Sequence, residues 1–199
     1  MQSVIFHFDP VSPYAYLAFE ALPEALAGIS HEVAYRPVLF AGLLKAWGHK
    51  GPAEIAPKRE WTYRQIDWLA RRQGLPLRLP VPHPFNPLAL LRLALACNPP
   101  GRMPNRYTVE ALMHHAWRAP DDAPADPNDP QRLAALTARL APPRDPRGED
   151  VKAKLKALTV AAIARVLFGV PTLEAGGRLY WGLDALTMLR EDLLAAGPG

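Results

Sequence analysis

Cysteine is almost absent from this chain of 199 residues; Cys97 is the only one. An intramolecular disulfide, a Cys-x-x-Cys redox pair and a multi-cysteine metal site are therefore excluded. Cys97 ends the stretch L-L-R-L-A-L-A-C, where a small buried helix residue is expected rather than a reactive thiol. Long apolar runs are missing as well. No stretch reaches the roughly 18 residues of a membrane span. The N-terminus lacks the basic and apolar regions of a secretory leader. The expectation is a soluble, cytoplasmic protein with no membrane partner. Charge is sparse and balanced, with 23 Lys and Arg against 19 Asp and Glu, a formal +4. The basic residues form no run interleaved with aromatics, so nucleic acid is not an expected partner. His83, His114 and His115 show no metal-ligand spacing, and no metal is expected.

Apolar residues make up 49% of the chain, enough for a substantial core in one domain or one domain with a large insertion. Residues 3–8, S-V-I-F-H-F, read as a buried strand. Residues 13–27 read as a helix with Ser12 as N-cap, Pro13 at the first position, and Pro23 kinking it or marking its late part. Residues 32–36 read as a second strand, parallel to the first because a helix intervenes. Helical patterns follow at 39–47, at 57–73 closed by Gly74, after Asn86-Pro87, at 106–118, at 131–141 and at 150–168. Residues 119–130 form a Pro/Asp-rich loop, and no strand signal appears between 40 and 165. Residues 171–175 and 178–181 read as a hairpin turning at Gly176-Gly177, and 183–195 as a closing helix.

This order, β-α-β, a helical block, α, β-hairpin, α, is that of an α/β thioredoxin-like fold with a large all-helical insertion. Residues 1–40 and 165–199 would form the discontinuous thioredoxin-like domain and 41–164 the insertion. In that fold the active corner is the first helix N-terminus, and a proline before the third strand faces it, often through a cis bond. Here the corner reads Ser12-Pro13-Tyr14-Ala15, so both sulfurs of a Cys-Pro-x-Cys are replaced. Disulfide exchange at this corner is excluded. The helix dipole, the free N–H groups and a hydroxyl remain, and they suit a bound thiolate.

The corner sequence F-D-P-V-S-P-Y-A-Y-L-A resembles the opening motif of the 2-hydroxychromene-2-carboxylate isomerases, relatives of the kappa-class glutathione transferases in the DsbA-like branch. Four more stretches agree in order and spacing: R-P-V-L-F-A-G-L-L-K-A-W-G (36–48), A-E-I-A-P-K-R-E-W (53–61), F-G-V-P-T-L (168–173) and Y-W-G-L-D-A-L (180–186). The resemblance implies glutathione as cofactor, a small aromatic carboxylate as substrate, a role in aromatic catabolism, and a homodimer. It implies that Ser12 bonds the glutathione sulfur and favours its thiolate. Val170, before a cis-Pro171, would offer its backbone to the glutathione peptide. Gly182, Leu183 and Asp184 would hold the γ-glutamyl end. Lys45, Lys58 and Arg59 would meet the substrate carboxylate. The implied reaction is interconversion of 2-hydroxychromene-2-carboxylate and trans-o-hydroxybenzylidenepyruvate: the thiolate adds, the ring opens, a bond rotates and the thiol leaves. A transferase or peroxidase acting on electrophiles, and a non-catalytic glutathione-binding protein, are the alternatives. The chain departs from the family pattern at three places, one of them a longer charge-rich loop at 119–130. Trp47-Gly48-His49 stands where Thr-Gly-Asn is usual, with His49 either a replacement donor for the asparagine or a surface residue. Gly182-Leu183-Asp184-Ala185 stands where Gly-Gln-Asp-Arg is common.

Overall fold

A computed structural model describes residues 1–118 and 124–197. Strand β1 (Gln2–Phe8) is the centre of the sheet. Its alternate residues Val4, Phe6 and Phe8 are fully buried, and the Phe6 ring meets Phe19 edge-on at 6.3 Å. That pairing sets helix α1 (Pro13–Ala25) on this face, and the period-2 alternation of a strand explains why these residues point the same way. Strand β2 (His31–Pro37) lies parallel to β1, with Phe6 beside Tyr35. On the other side β3 (Thr172–Ala175) runs antiparallel to β1, and β4 (Arg178–Trp181) antiparallel to β3. The sheet order is β2-β1-β3-β4. Gly176 and Gly177 both have positive φ, at 55° and 78°, as the tight turn between β3 and β4 requires.

Between β2 and β3 come α2 (Phe40–Ala46), a short 3-10 turn (Pro52–Glu54), α3 (Ala56–Arg72), α4 (Leu88–Ala96), α5 (Arg106–Trp117), α6 (Pro130–Leu140) and α7 (Glu149–Ala164). Helix α8 (Ala185–Ala195) closes the chain. Among the described residues no strand interrupts this helical stretch. The fold is a thioredoxin-like α/β fold carrying a helical insertion.

Several element ends differ from the sequence reading, each for a local reason. Pro23 lies inside α1. A proline leaves the carbonyl four residues earlier without its helical donor. Here that carbonyl, on Phe19, accepts from the Arg106 guanidinium at 3.4 Å, and the same guanidinium sits 4.2 Å over the Phe19 ring. Helix α4 begins at Leu88 rather than Pro87; Pro87 takes the cap position and the Asn86 side chain accepts from the Leu88 N–H at 3.1 Å. Helix α7 stops at Ala164, not 168, because Val166 turns into the left-handed region at φ 57°. Strand β3 starts at Thr172, since Pro171 has no N–H to give a ladder. Asp129 caps α6, accepting from the N–H groups of Gln131 and Arg132. Within the expected 119–130 loop, residues 119–123 lie outside the described residues.

One apolar core joins β1 and α1 to Ile66 and Ala70 of α3, Leu90 of α4, and Val109, Leu112 and Trp117 of α5. A second cluster, Val38, Leu43, Ala162, Leu167 and Val170, packs α2 and α7 against the segment before β3.

Candidate functional site

The C-terminal end of β1 turns into α1 through Asp9, Pro10 and Val11, and this turn is held from several sides. The Ser12 N–H donates to the Asp9 carbonyl at 3.0 Å. The Pro10 carbonyl accepts from the Trp117 indole N–H at 2.8 Å, and the Val11 carbonyl accepts from His83 Nε2 at 2.9 Å. A carbonyl only accepts, so His83 carries its proton on Nε2 and takes the Tyr63 hydroxyl bond on Nδ1, at 2.8 Å. Burial lowers the His83 pKa, which agrees with a neutral ring. The insertion thus supplies both side chains that fix the corner loop.

Asp9 is fully buried. Its Oδ1 accepts from the Val11 N–H at 3.0 Å and its Oδ2 from the Phe40 N–H at 2.9 Å, so one carboxyl ties the corner to the start of α2. Burial raises its pKa to about 7, against the smaller opposing pull of the two amides.

Ser12 is 6% exposed. Its hydroxyl oxygen accepts from the Ala15 N–H at 3.3 Å, the N-cap bond, and its proton goes to the Val170 carbonyl at 3.1 Å. Pro13 contributes no N–H to this first turn. No hydrogen bond among the described residues uses the Tyr14 N–H, which is the remaining donor at the positive end of α1. Facing Ser12, the Val170–Pro171 peptide is cis. The Pro171 carbonyl accepts from the Gly182 N–H at 3.0 Å, joining this segment to the turn before α8. Gly182 has φ 98°, and a Cβ there would meet Asp184 Oδ1 at 2.5 Å. Asp184 sits at the N-cap of α8 in helical geometry, and its side chain makes no cap bond. Its carboxylate faces the Gly182 backbone instead.

These pieces open onto a cleft of about 1720 Å³. The cleft exceeds the common size of small-molecule pockets, up to about 1,000 Å³. Ser12, Val170 and Pro171 line it together with Gly182, Leu183 and Asp184. His49 and Lys58 join them from the segment after α2 and the start of α3. Lys45 and Arg59 are exposed and are not among the lining residues. In α2 the buried side chain is Leu43, and Lys45, two residues on, falls roughly on the other side of the helix. Asp9, Tyr14 and the aromatic residues Trp61, Phe168 and Trp181 also line the cleft. Sequence reasoning did not single out Asp9, Phe168 or Trp181. The signal was of one kind for all three, a place inside a stretch that carries the resemblance: Asp9 in the opening motif, Phe168 in F-G-V-P-T-L and Trp181 in Y-W-G-L-D-A-L. Trp47, by contrast, donates its indole N–H to the Leu167 carbonyl at 2.8 Å and is an anchor outside the cleft lining.

The sequence matches the DSBA-like thioredoxin domain over residues 3–194. The chain belongs to this family. This DSBA-like chain is 24% identical to the 2-hydroxychromene-2-carboxylate isomerase of Sphingobium xenophagum, over 97% of this chain and 98% of that protein. It is 26% identical to glutathione S-transferase kappa 1 of Rattus norvegicus, over 92% of this chain and 86% of that one. The solved structure of a 2-hydroxychromene-2-carboxylate isomerase superposes with a TM-score of 0.82 at 22% identity, covering 98% of this chain and 95% of that chain, a likeness of fold. This member carries Ser12-Pro13-Tyr14-Ala15 at the corner, with no sulfur among the four residues.

Proposed function

We propose that the cleft binds glutathione and uses it to isomerise a small aromatic carboxylate of the 2-hydroxychromene-2-carboxylate type. The reading includes a homodimer working in cytoplasmic aromatic catabolism. One observation carries it: a buried serine at a helix N-terminus, hydrogen-bonded to the residue before a cis-proline, in a chain whose relatives are named as isomerases and kappa transferases.

The residues present fit the group. The Ser12 hydroxyl and the Tyr14 N–H converge on the positive end of α1 and suit an anionic sulfur. Val170 offers backbone groups for an extended peptide. The Asp184 carboxylate, free of capping duty, suits an α-ammonium. When bound, glutathione would supply a thiolate for reversible addition to an electrophilic double bond.

The chain's own part is binding, orientation and charge stabilisation. The Ser12 hydroxyl donates to the Val170 carbonyl. It turns to the sulfur when a thiolate is the better acceptor, and the Val170 carbonyl is then released for a ligand amide. Lys58 places a cation in the cleft for the substrate carboxylate, and His49 stands where the resemblance expects asparagine. Two of the differences from the family pattern, His49 and Ala185, lie beside the binding residues and favour a changed substrate over a changed fold. They also keep a transferase acting on other electrophiles as the second reading.

Calorimetry with glutathione, followed by absorbance assays with 2-hydroxychromene-2-carboxylate with and without it, tests the reading. Glutathione binding and glutathione-dependent loss of chromene absorbance are expected. No binding at millimolar glutathione overturns it. Binding without isomerisation, but with conjugation of an electrophile, moves the assignment to the transferase.

A further inference from the structure

The cleft has an aromatic rim that the glutathione reading does not use. Phe168 and Trp181 are 45% and 55% exposed, and their ring centroids lie 4.9 Å apart at 62°. A single half-exposed aromatic is common on protein surfaces. A paired and immobilised set at the mouth of a cleft is different, because its apolar faces stay in water only until something covers them.

The pair is fixed from three directions. The Trp47 indole N–H holds the Leu167 carbonyl, one residue before Phe168. The Thr172 hydroxyl donates to the Gly169 carbonyl at 2.8 Å. Gly169 itself lies against the Trp181 indole. A Cβ at Gly169 would collide with Trp181 Nε1 and stand 3.2 Å from Cε2, so any side chain there displaces the ring. The register of β3 against β4 places Trp181 opposite Thr172, which brings the indole over the turn that leads to Val170. Phe168 is therefore two residues before Val170, and Trp181, at the end of β4, directly precedes Gly182. The rim's position relative to Ser12 is set by backbone, not by a flexible side chain. Lys50 and Lys58 line the same cleft, and neither forms an ion pair among the described residues.

We propose that Phe168 and Trp181 form a stacking platform for the planar ring of an aromatic carboxylate, and that Gly169 is the specificity residue that lets the platform exist. Its place in catalysis rests on the glutathione reading; its binding does not. Flat bicyclic acids are selected over saturated ones of the same size, since only a flat ring keeps contact with both aromatic side chains.

The test is calorimetric binding of 2-naphthoate, and of its saturated counterpart decahydro-2-naphthoate, to the intact chain without glutathione. The wild type prefers the aromatic acid by about tenfold, the scale of one aromatic pair. Trp181→Ala and Gly169→Ala each remove the preference, and Trp181→Phe retains most of it. Circular dichroism and thermal melting show whether each variant folds; Trp181→Phe keeps the test decisive if Gly169→Ala does not. An unchanged preference in folded Trp181→Ala, or no preference in the wild type, overturns the platform. Glutathione affinity is measured on the same samples. A wild-type ring preference that folded Trp181→Ala loses, with no glutathione binding by the wild type, upholds the platform and removes the proposed function; glutathione binding with no ring preference in the wild type removes the platform alone.

Discussion

Ser12 donates to one neighbour and accepts from another. Its hydroxyl donates to the Val170 carbonyl while its oxygen accepts the Ala15 N–H that caps α1. Ser12→Ala removes both bonds. It should lower stability by about 1 kcal/mol, as an N-cap loss does, and reduce glutathione-dependent turnover on the order of 100-fold, as loss of a positioned anion donor does. Unfolding in urea and steady-state kinetics read the two effects separately; unchanged kinetics would leave Ser12 as a cap only. Asp9 gives a pH signature. Its carboxyl titrates at about 7 in the folded chain, raised by burial from the ordinary carboxylate range. A raised acid pKa means that folding favours the protonated form. Its contribution is therefore fully present below about pH 4 and is lost as pH rises towards 7. Relative to Asp9→Asn, the wild type should lose a few kcal/mol across that window, measured by urea unfolding at the two ends. A constant difference between the two proteins would show that Asp9 does not titrate there. Cys97 is the reverse of a reactive thiol: burial pushes its pKa to about 11. Its alkylation by iodoacetamide at neutral pH should be on the order of 100-fold slower than that of an exposed thiol, and rapid only on unfolding.

At the scale of elements, α1 keeps its helix through Pro23 because Arg106 of α5 replaces the missing donor at the Phe19 carbonyl. Arg106→Leu should cost roughly 1 kcal/mol. It should cost less when combined with Pro23→Ala, which restores a backbone N–H for that carbonyl. Additive urea-unfolding energies would refute the coupling. Element types were legible in the sequence because they depend on local facts: the apolar alternation of β1, the Ser12-Pro13 start of α1, the Gly176-Gly177 turn. Element ends were less legible. Val166 ends α7 by adopting a positive φ that its sequence neighbours do not announce. The corner at Ser12 was readable for the same local reason, a strand followed at once by a cap. The Phe168–Trp181 rim was not, because a strand pairing decides it, and either residue alone reads as ordinary apolar filling.

Across the whole molecule, the main core runs without a break from β1 through α1 into α3, α4 and α5. The insertion also reaches the site directly, through Trp117 to Pro10 and His83 to Val11, and pairs with α1 where Arg118 and His114 meet Glu20. The chain should therefore unfold in one cooperative transition, with fluorescence and far-ultraviolet circular dichroism coinciding in urea. Two separated transitions would show that the helical stretch is a unit of its own.

The sequence by itself determined the order and kind of the elements, the loss of both sulfurs at the corner, and the serine that remains there. Those follow from periodicity, caps and residue identity within a few positions of the chain. The tertiary structure alone decided which residues share the cleft. It put His49 and Lys58 on the lining and left Lys45 and Arg59 off it, and it laid Trp181 on Gly169 beside Phe168. Helix rotation and strand register make those choices, and both are set by packing between parts far apart in sequence.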